Sequence, residues 1–84
     1  MTMRPRHGIR IEPNPAVAGG LVTINVTGPG PWYVAADPSG ELTEISPDAN
    51  GEVEIRTPGS SGGTFTVTNA TEPYVSDFFP VVAP

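Results

Sequence analysis

Glycine and proline punctuate this chain so densely that a helix of ordinary length has nowhere to form. From Pro13 to Gly63 no run free of both residues exceeds seven positions. Proline lacks the N–H donor that a helix needs and clashes with the preceding turn, and glycine weakens any helix interior. The intervening runs alternate, with Val, Ile, Thr and Phe at every second place. Ten Gly and eleven Pro in 84 residues would indicate low complexity in a polar chain. In this one the alternation predicts many short strands joined by tight turns, an ordered all-β domain.

The phase of each run predicts which side chains enter the core. Strand Gly8–Glu12 sends Ile9 and Ile11 one way and Arg10 and Glu12 the other, then meets Pro13-Asn14-Pro15, which stops a central ladder. Ala16–Gly20 reads as a loop or a short switch of the edge strand. Leu21–Thr27 turns Val22, Ile24 and Val26 inward, and Gly28-Pro29-Gly30-Pro31 ends it. Trp32–Asp37 is followed by Asp37-Pro38-Ser39-Gly40, a four-residue type I turn by composition. Glu41–Ser46 has Leu42 and Ile45 out of phase and reads as an edge strand. Pro47-Asp48-Ala49-Asn50-Gly51 reads as a hairpin loop into Glu52–Thr57. The loop PGSSGG leads to Thr64–Asn69, with Phe65 and Val67 inward. The last strand, Tyr74–Val82, sets Val75, Phe79 and Val81 on one face and Tyr74, Phe78 and Val82 on the other. Seven short strands in this length predict a two-sheet sandwich.

A chain of 84 residues supplies one domain with a modest core. It has no cysteine, so no disulfide framework or thiolate metal site, and its single histidine, His7, cannot hold zinc alone. Arg4, Arg6 and Arg10 crowd the first ten residues beside His7, whereas residues 11 to 84 carry one cation, Arg56, against nine acids, hence −8. Residues 1–7 therefore read as a flexible basic arm ahead of a domain spanning 8–84. The acidic body argues against nucleic acid as the main partner. No apolar run approaches the roughly 20 residues of a membrane span, and the first residues lack the apolar stretch of a secretory signal. The glycosylation-type triplets at Asn25 and Asn69 read as Thr-rich strand chemistry.

Catalytic chemistry is hard to assemble from these residues. There is no lysine, and no serine stands in a triad-like context. Glu52 and Glu54 share the outer face of one strand, where paired acids serve solubility and edge protection. Asp48, Asn50 and Glu52 resemble part of a calcium loop but lack its later bidentate glutamate. The expectation is a non-enzymatic protein without cofactor or metal. Within GPGPWYV, Trp32 is in phase with Val34 and Ala36, which predicts a buried ring. Tyr33 points outward as the one ring of that stretch offered to a partner. Tyr74, Phe78 and Val82 form an apolar row suited either to burial against another subunit or to cover by the chain's own loops. The candidate partner-binding residues are therefore Arg4, Arg6, His7, Arg10, Tyr33, Tyr74 and Phe78.

The stretch IEPNPAVAGGLVTINVTG resembles the opening of bacterial and phage immunoglobulin-like domains, PWYVAAD their third strand, and DANGEVEIRTP with GGTFTVTNAT their fifth and sixth. The resemblance covers nearly all of residues 8 to 82. It departs from antibody-type domains in lacking both core cysteines and in having Phe65 where many relatives carry a tyrosine. It implies a single Ig-like two-sheet antiparallel β-sandwich of about seven strands. A free-standing domain of this size is similar to the head-decoration proteins of tailed phages. That similarity implies a capsid decoration protein on the virion surface, present in the host cytoplasm before assembly. It would bind the major capsid protein or other virion subunits through one end of the sandwich and the basic arm, with a trimer as one arrangement. The alternative class is a carbohydrate- or cell-surface-binding module.

Overall fold

The computed structural model describes residues 8–37, 39–72 and 74–84; the basic arm with Arg4, Arg6 and His7 lies outside them. Eight strands follow one another among the described residues: β1 (Gly8–Glu12), β2 (Ala16–Val17), β3 (Leu21–Thr27), β4 (Trp32–Asp37), β5 (Leu42–Ile45), β6 (Glu52–Arg56), β7 (Thr64–Asn69) and β8 (Ser76–Val82). They form two sheets, one ordered β1-β3-β6 and one ordered β2-β8-β7-β4-β5. All neighbours run antiparallel except β2 and β8. The expected all-β, two-sheet sandwich is present, with bounds for β1, β3, β4 and β7 as the alternation predicts.

The first strand divides between the sheets. β1 pairs with β3 up to Glu12↔Thr23. Neither Pro13 nor Pro15 can donate to a continuing ladder, and the chain crosses so that Ala16 and Val17 join Val81 and Val82 in the other sheet. Here the switch of the edge strand is an element of its own, which raises the count above seven. The Glu12-Pro13, Asn14-Pro15 and Gly30-Pro31 peptide bonds are cis.

The core lies between the layers. Ile11, Val22, Ile24 and Val26 face it from the three-stranded sheet. Trp32, Val34, Ile45, Val67, Phe79 and Val81 face it from the other, with Ala16 at the seam. Burying a side chain of this size contributes about 1.5–3 kcal/mol. Trp32 is buried as its phase predicts, and it explains the preceding glycine. A methyl group on Gly30 would come within 2.9 Å of Trp32 Cδ1. Val53 and Ile55 are only half-buried, because β6 is an edge strand with one neighbour.

Two loops differ from their sequence reading. Pro47–Gly51 is not a hairpin: β5 and β6 belong to different sheets, and the segment carries the chain across the core. The local turn chemistry is nonetheless present. Asp48 Oδ1 accepts the N–H groups of Asn50 and Glu52, both at 2.9 Å, and Gly51 N–H donates to the Asp48 carbonyl at 2.9 Å. An Asx turn looks the same whether the flanking strands pair or part. In the turn after β4, Gly40 N–H donates to the Ala36 carbonyl at 2.7 Å, one residue further back than a type I turn closes. Gly40 takes φ +80° to do so.

β8 begins at Ser76, two residues later than the alternation predicts, and Tyr74 lies before it. The reason is Asn69, a buried residue at the end of β7. Its Oδ1 accepts Val75 N–H at 2.9 Å and its Nδ2 donates to the Thr71 carbonyl at 2.6 Å. Thr71 Oγ1 in turn donates to the Gly30 carbonyl at 2.6 Å, and Ala70 N–H to the Pro31 carbonyl at 3.0 Å. One amide therefore holds Thr71 and Val75 in place before the β7–β8 ladder starts. Asn69→Ala leaves a part-buried donor, Val75 N–H, and a part-buried acceptor, the Thr71 carbonyl, without this partner. Equilibrium urea unfolding is expected to show a loss of about 2–4 kcal/mol. A loss below about 1 kcal/mol would show that water replaces the amide.

A second buried polar residue, Thr57, ties the end of β6 to the turn after β2. Its Oγ1 accepts Gly20 N–H at 3.1 Å and donates to the Val17 carbonyl at 2.6 Å. Its own N–H donates to the Gly20 carbonyl at 2.9 Å. The strand predicted to run through Thr57 ends at Arg56: Thr57 N–H still bonds Gly20, the next residue in register, but Gly20 N–H bonds the Thr57 hydroxyl and not its carbonyl, so the ladder closes there.

Candidate functional site

Alternation gives each sheet one face for the core and one for the outside, and the two outer faces differ in chemistry. On the three-stranded sheet, register places Arg10, Asn25 and Glu52 in one row and Glu12, Thr23 and Glu54 in the next, with Leu21 beside Arg56. That face is a mixed-charge surface, and Arg56 Nη1 reaches the Gly19 carbonyl at 2.9 Å. Such a face solvates well and blunts the free edge of β6.

The outer face of the five-stranded sheet is different. One row runs Phe78, Thr66, Ala35, Leu42 across β8, β7, β4 and β5. Beside it lie Ser76, Thr68, Tyr33 and Glu44 on one side and Pro80, Thr64 and Asp37 on the other. Val17 and Val82 extend it along the β2–β8 edge. Leu42 is 62% exposed and Phe78 59%, whereas Ala35 and Thr66 between them are half-buried. In this row the large apolar side chains thus stand on β8 and β5 and the small ones on β7 and β4 between them, while Tyr33 rises from β4 in the row beside it. The ionic groups of this face are Glu44 and Asp37. Both cations among the described residues, Arg10 and Arg56, belong to the opposite sheet.

Among the described residues, the candidate contacts Arg10, Tyr33, Tyr74 and Phe78 do not gather into one site. Tyr33 and Phe78 share the five-stranded face, with the small residues of β7 between them. Tyr33 is half-buried between Thr68 and Glu44. Arg10 sits on the outer face of the other sheet, a full sandwich thickness of roughly 10 Å between sheets away. Tyr74 is 64% exposed but stands in the loop before β8, outside the row it was expected to share with Phe78 and Val82. Arg4, Arg6 and His7 lie outside the described residues. Leu42 is the residue the sequence reading undervalued. Its irregular phase marked an edge strand, but only the register opposite Ala35 shows that it completes the apolar row.

A groove of about 580 Å³ opens at one end of the sandwich between residues 26–32 and 44–51. Its polar groups include Glu44, Ser46, Asp48 and Asn50, and Asp48 Oδ1 is already bonded to two backbone N–H groups of its own turn. Among the described residues no three His, Cys, Asp or Glu side chains gather as metal ligands would. No helix there is long and apolar enough to cross a membrane. Compared with protein-family models, with curated protein sequences and with solved structures, the chain matches none.

Proposed function

We propose that this chain is a non-enzymatic Ig-like β-sandwich that acts as a structural, protein-binding module, docking through the outer face of its five-stranded sheet. The Phe78–Thr66–Ala35–Leu42 row carries this reading, because the exposed apolar side chains at its two ends, Phe78 and Leu42, gain free energy only when a second surface covers them. The Ig-like assignment is supported by the strand order, three strands against five, and by a first strand that divides between the sheets, as in Greek-key sandwiches of this class. The setting we propose is the outside of a tailed-phage head, with the chain as a decoration protein, by the sequence resemblance described above. The contact surface then differs from the sequence expectation: a sheet face, with the basic arm as an auxiliary.

Its mode of action would be mass action. A subunit that binds neighbouring capsid subunits only in the closed shell adds its binding free energy to the assembled state. The acidic remainder keeps decorated particles mutually repelling. A sugar-binding module is less well supported, since the two rings on this face, Tyr33 and Phe78, stand about 12 Å apart by strand spacing, too far to stack on one sugar. Tyr33-dependent retention on immobilised polysaccharide would reverse that ranking.

The experiment is a comparison of wild type with Leu42→Glu/Phe78→Glu for association with purified particles depleted of this chain. Both side chains are exposed, so unfolding is expected to move by less than about 1 kcal/mol. Association is expected to fall at least about 100-fold, as two buried carboxylates would demand. Undiminished coating by the double variant would refute the docking face, and absence of the wild type from particles would refute the setting.

A further inference from the structure

The shape of this face says what kind of element covers it. Phe78 and Pro80 rise from β8 and Leu42 from β5, with only Ala35, Thr64, Thr66 and Thr68 on much of the floor between. Three strand spacings separate β8 from β5, about 14 Å, which admits a cylinder of about 10–12 Å, the diameter of an α-helix with its side chains. Along the strands the floor runs about 13 Å from Tyr33 to Asp37. A helix places apolar residues at i, i+4 and i+7 over about 10.5 Å, a length that fits between them. A second copy of this face fits worse, because its own raised edges would meet these and leave the two small-residue floors apart, and a flat sheet would rest on Phe78 and Leu42 without reaching the floor.

Charge selects the sequence of that helix. Glu44 and Asp37 stand at opposite ends of the floor, about 14 Å apart by strand geometry. No cation among the described residues shares their face. A second copy would bring the same acids against these. A helix with Arg or Lys at each end of its apolar stripe, about nine residues apart, places one cation over each acid.

We infer that the five-stranded face is a receptor for a basic amphipathic helix of a partner protein, seated in the trough between Phe78 and Leu42. This rests on the reading of that face as the docking surface and specifies the partner's chemistry. It uses the mode in which an apolar helix stripe enters a groove and flanking charges set orientation.

The test is selection of 16-residue peptides from a random displayed library on the immobilised domain, followed by titration of the enriched peptides into ¹⁵N-labelled protein. Expected peptides repeat apolar residues at i, i+3 or i+4, and i+7 with Arg or Lys at both ends, and gain helical circular dichroism on binding. They should perturb Ala35, Leu42, Thr66 and Phe78. Leu42→Glu and Phe78→Glu should each weaken them at least tenfold, and Glu44→Gln/Asp37→Asn should abolish most of the salt dependence. Failure to enrich such a pattern, binding in an extended form, equal binding by the variants, or perturbation centred on Arg10 and Glu54 would overturn the inference. So would sedimentation showing a dimer closed over Leu42 and Phe78. If particles still bind through this face while no helix is selected, the partner's chemistry is wrong and the docking surface stands.

Discussion

Gly51→Ala is expected to cost about 4 kcal/mol or more, and Gly40→Ala about 1–2 kcal/mol, although both glycines have φ +80°. The shared term is the cost of a Cβ in the left-handed region. The difference is space. A Cβ on Gly40 would meet nothing within 4 Å, whereas one on Gly51 would be driven into the carbonyl oxygen of Val26. That carbonyl cannot step aside, because Val26 is in β3, the central strand of its sheet. Val26 N–H also donates to the Gly51 carbonyl at 2.7 Å, so opening the contact breaks the bond that holds the crossing segment to the sheet. A domain of this length has a total stability on the order of 4–12 kcal/mol. The Gly51 variant is therefore expected to be largely unfolded, or folded only at low temperature, while the Gly40 variant unfolds cooperatively with a modest shift. Parallel urea titrations with circular dichroism read both. Equal losses would mean that the segment relaxes and that close approach to β3 does not matter.

Phe79→Ala is the second large effect, expected at about 3–5 kcal/mol for truncating a buried aromatic, with about 0.5–1.5 kcal/mol more for a lost ring pair. Phe79 has no exposed surface and is among the largest fully buried side chains. Its ring lies 5.4 Å from that of Phe65, its cross-strand partner, at an interplanar angle of 13°. Val67 and Val81 line the same inner face. Phe78→Ala, one residue away, is expected to change stability by less than about 0.5 kcal/mol, because that ring faces outward. The pair of variants isolates strand phase, since composition and position are otherwise the same. In thermal melts each kcal/mol moves the midpoint by about 4–8 °C for a domain of this size. Phe79→Ala should thus lower it by some 15 °C or more, and Phe78→Ala by a few degrees at most. A large loss at Phe78 would overturn the phase of β8 and with it the docking face.

Much of this was legible residue by residue. Period-two alternation is a local property, and the Gly and Pro breaks that bound it are local too. Val22, Ile24 and Val26, Trp32 and Val34, and Val67 are buried where alternation puts them. Phe78 and Phe79 separate to opposite faces for the same reason. Pro13 and Pro15 announced that β1 could not continue, because a missing N–H is missing in any fold. Asp48, Asn50 and Gly51 announced a turn.

What local pattern does not carry is which strand lies beside which. The turn at 47–51 forms the same Asx bonds in a hairpin or in a crossing, and only the competing claims of two sheets on β5 and β6 chose the crossing. Asn69 was read as strand chemistry because its partners, Val75 N–H and the Thr71 carbonyl, come within reach only after β7 and β8 pair. Tyr74 left its expected row for the same cause. Of the candidate contact residues that are described, Arg10 lies on one sheet, Tyr33 and Phe78 on the other and Tyr74 before β8, because register alone sets Phe78, Thr66, Ala35 and Leu42 in line.

The sequence by itself determined an all-β domain, its breaks, and the inward or outward sense of nearly every strand residue. These follow from backbone sterics and side-chain period, which need no distant partner. Tertiary structure alone decided the grouping of strands into sheets, the role of Asn69 and the making of one acid-rimmed apolar face. Each of those depends on contacts between residues far apart in the chain, whose free energy exists only once the two layers have closed on a common core.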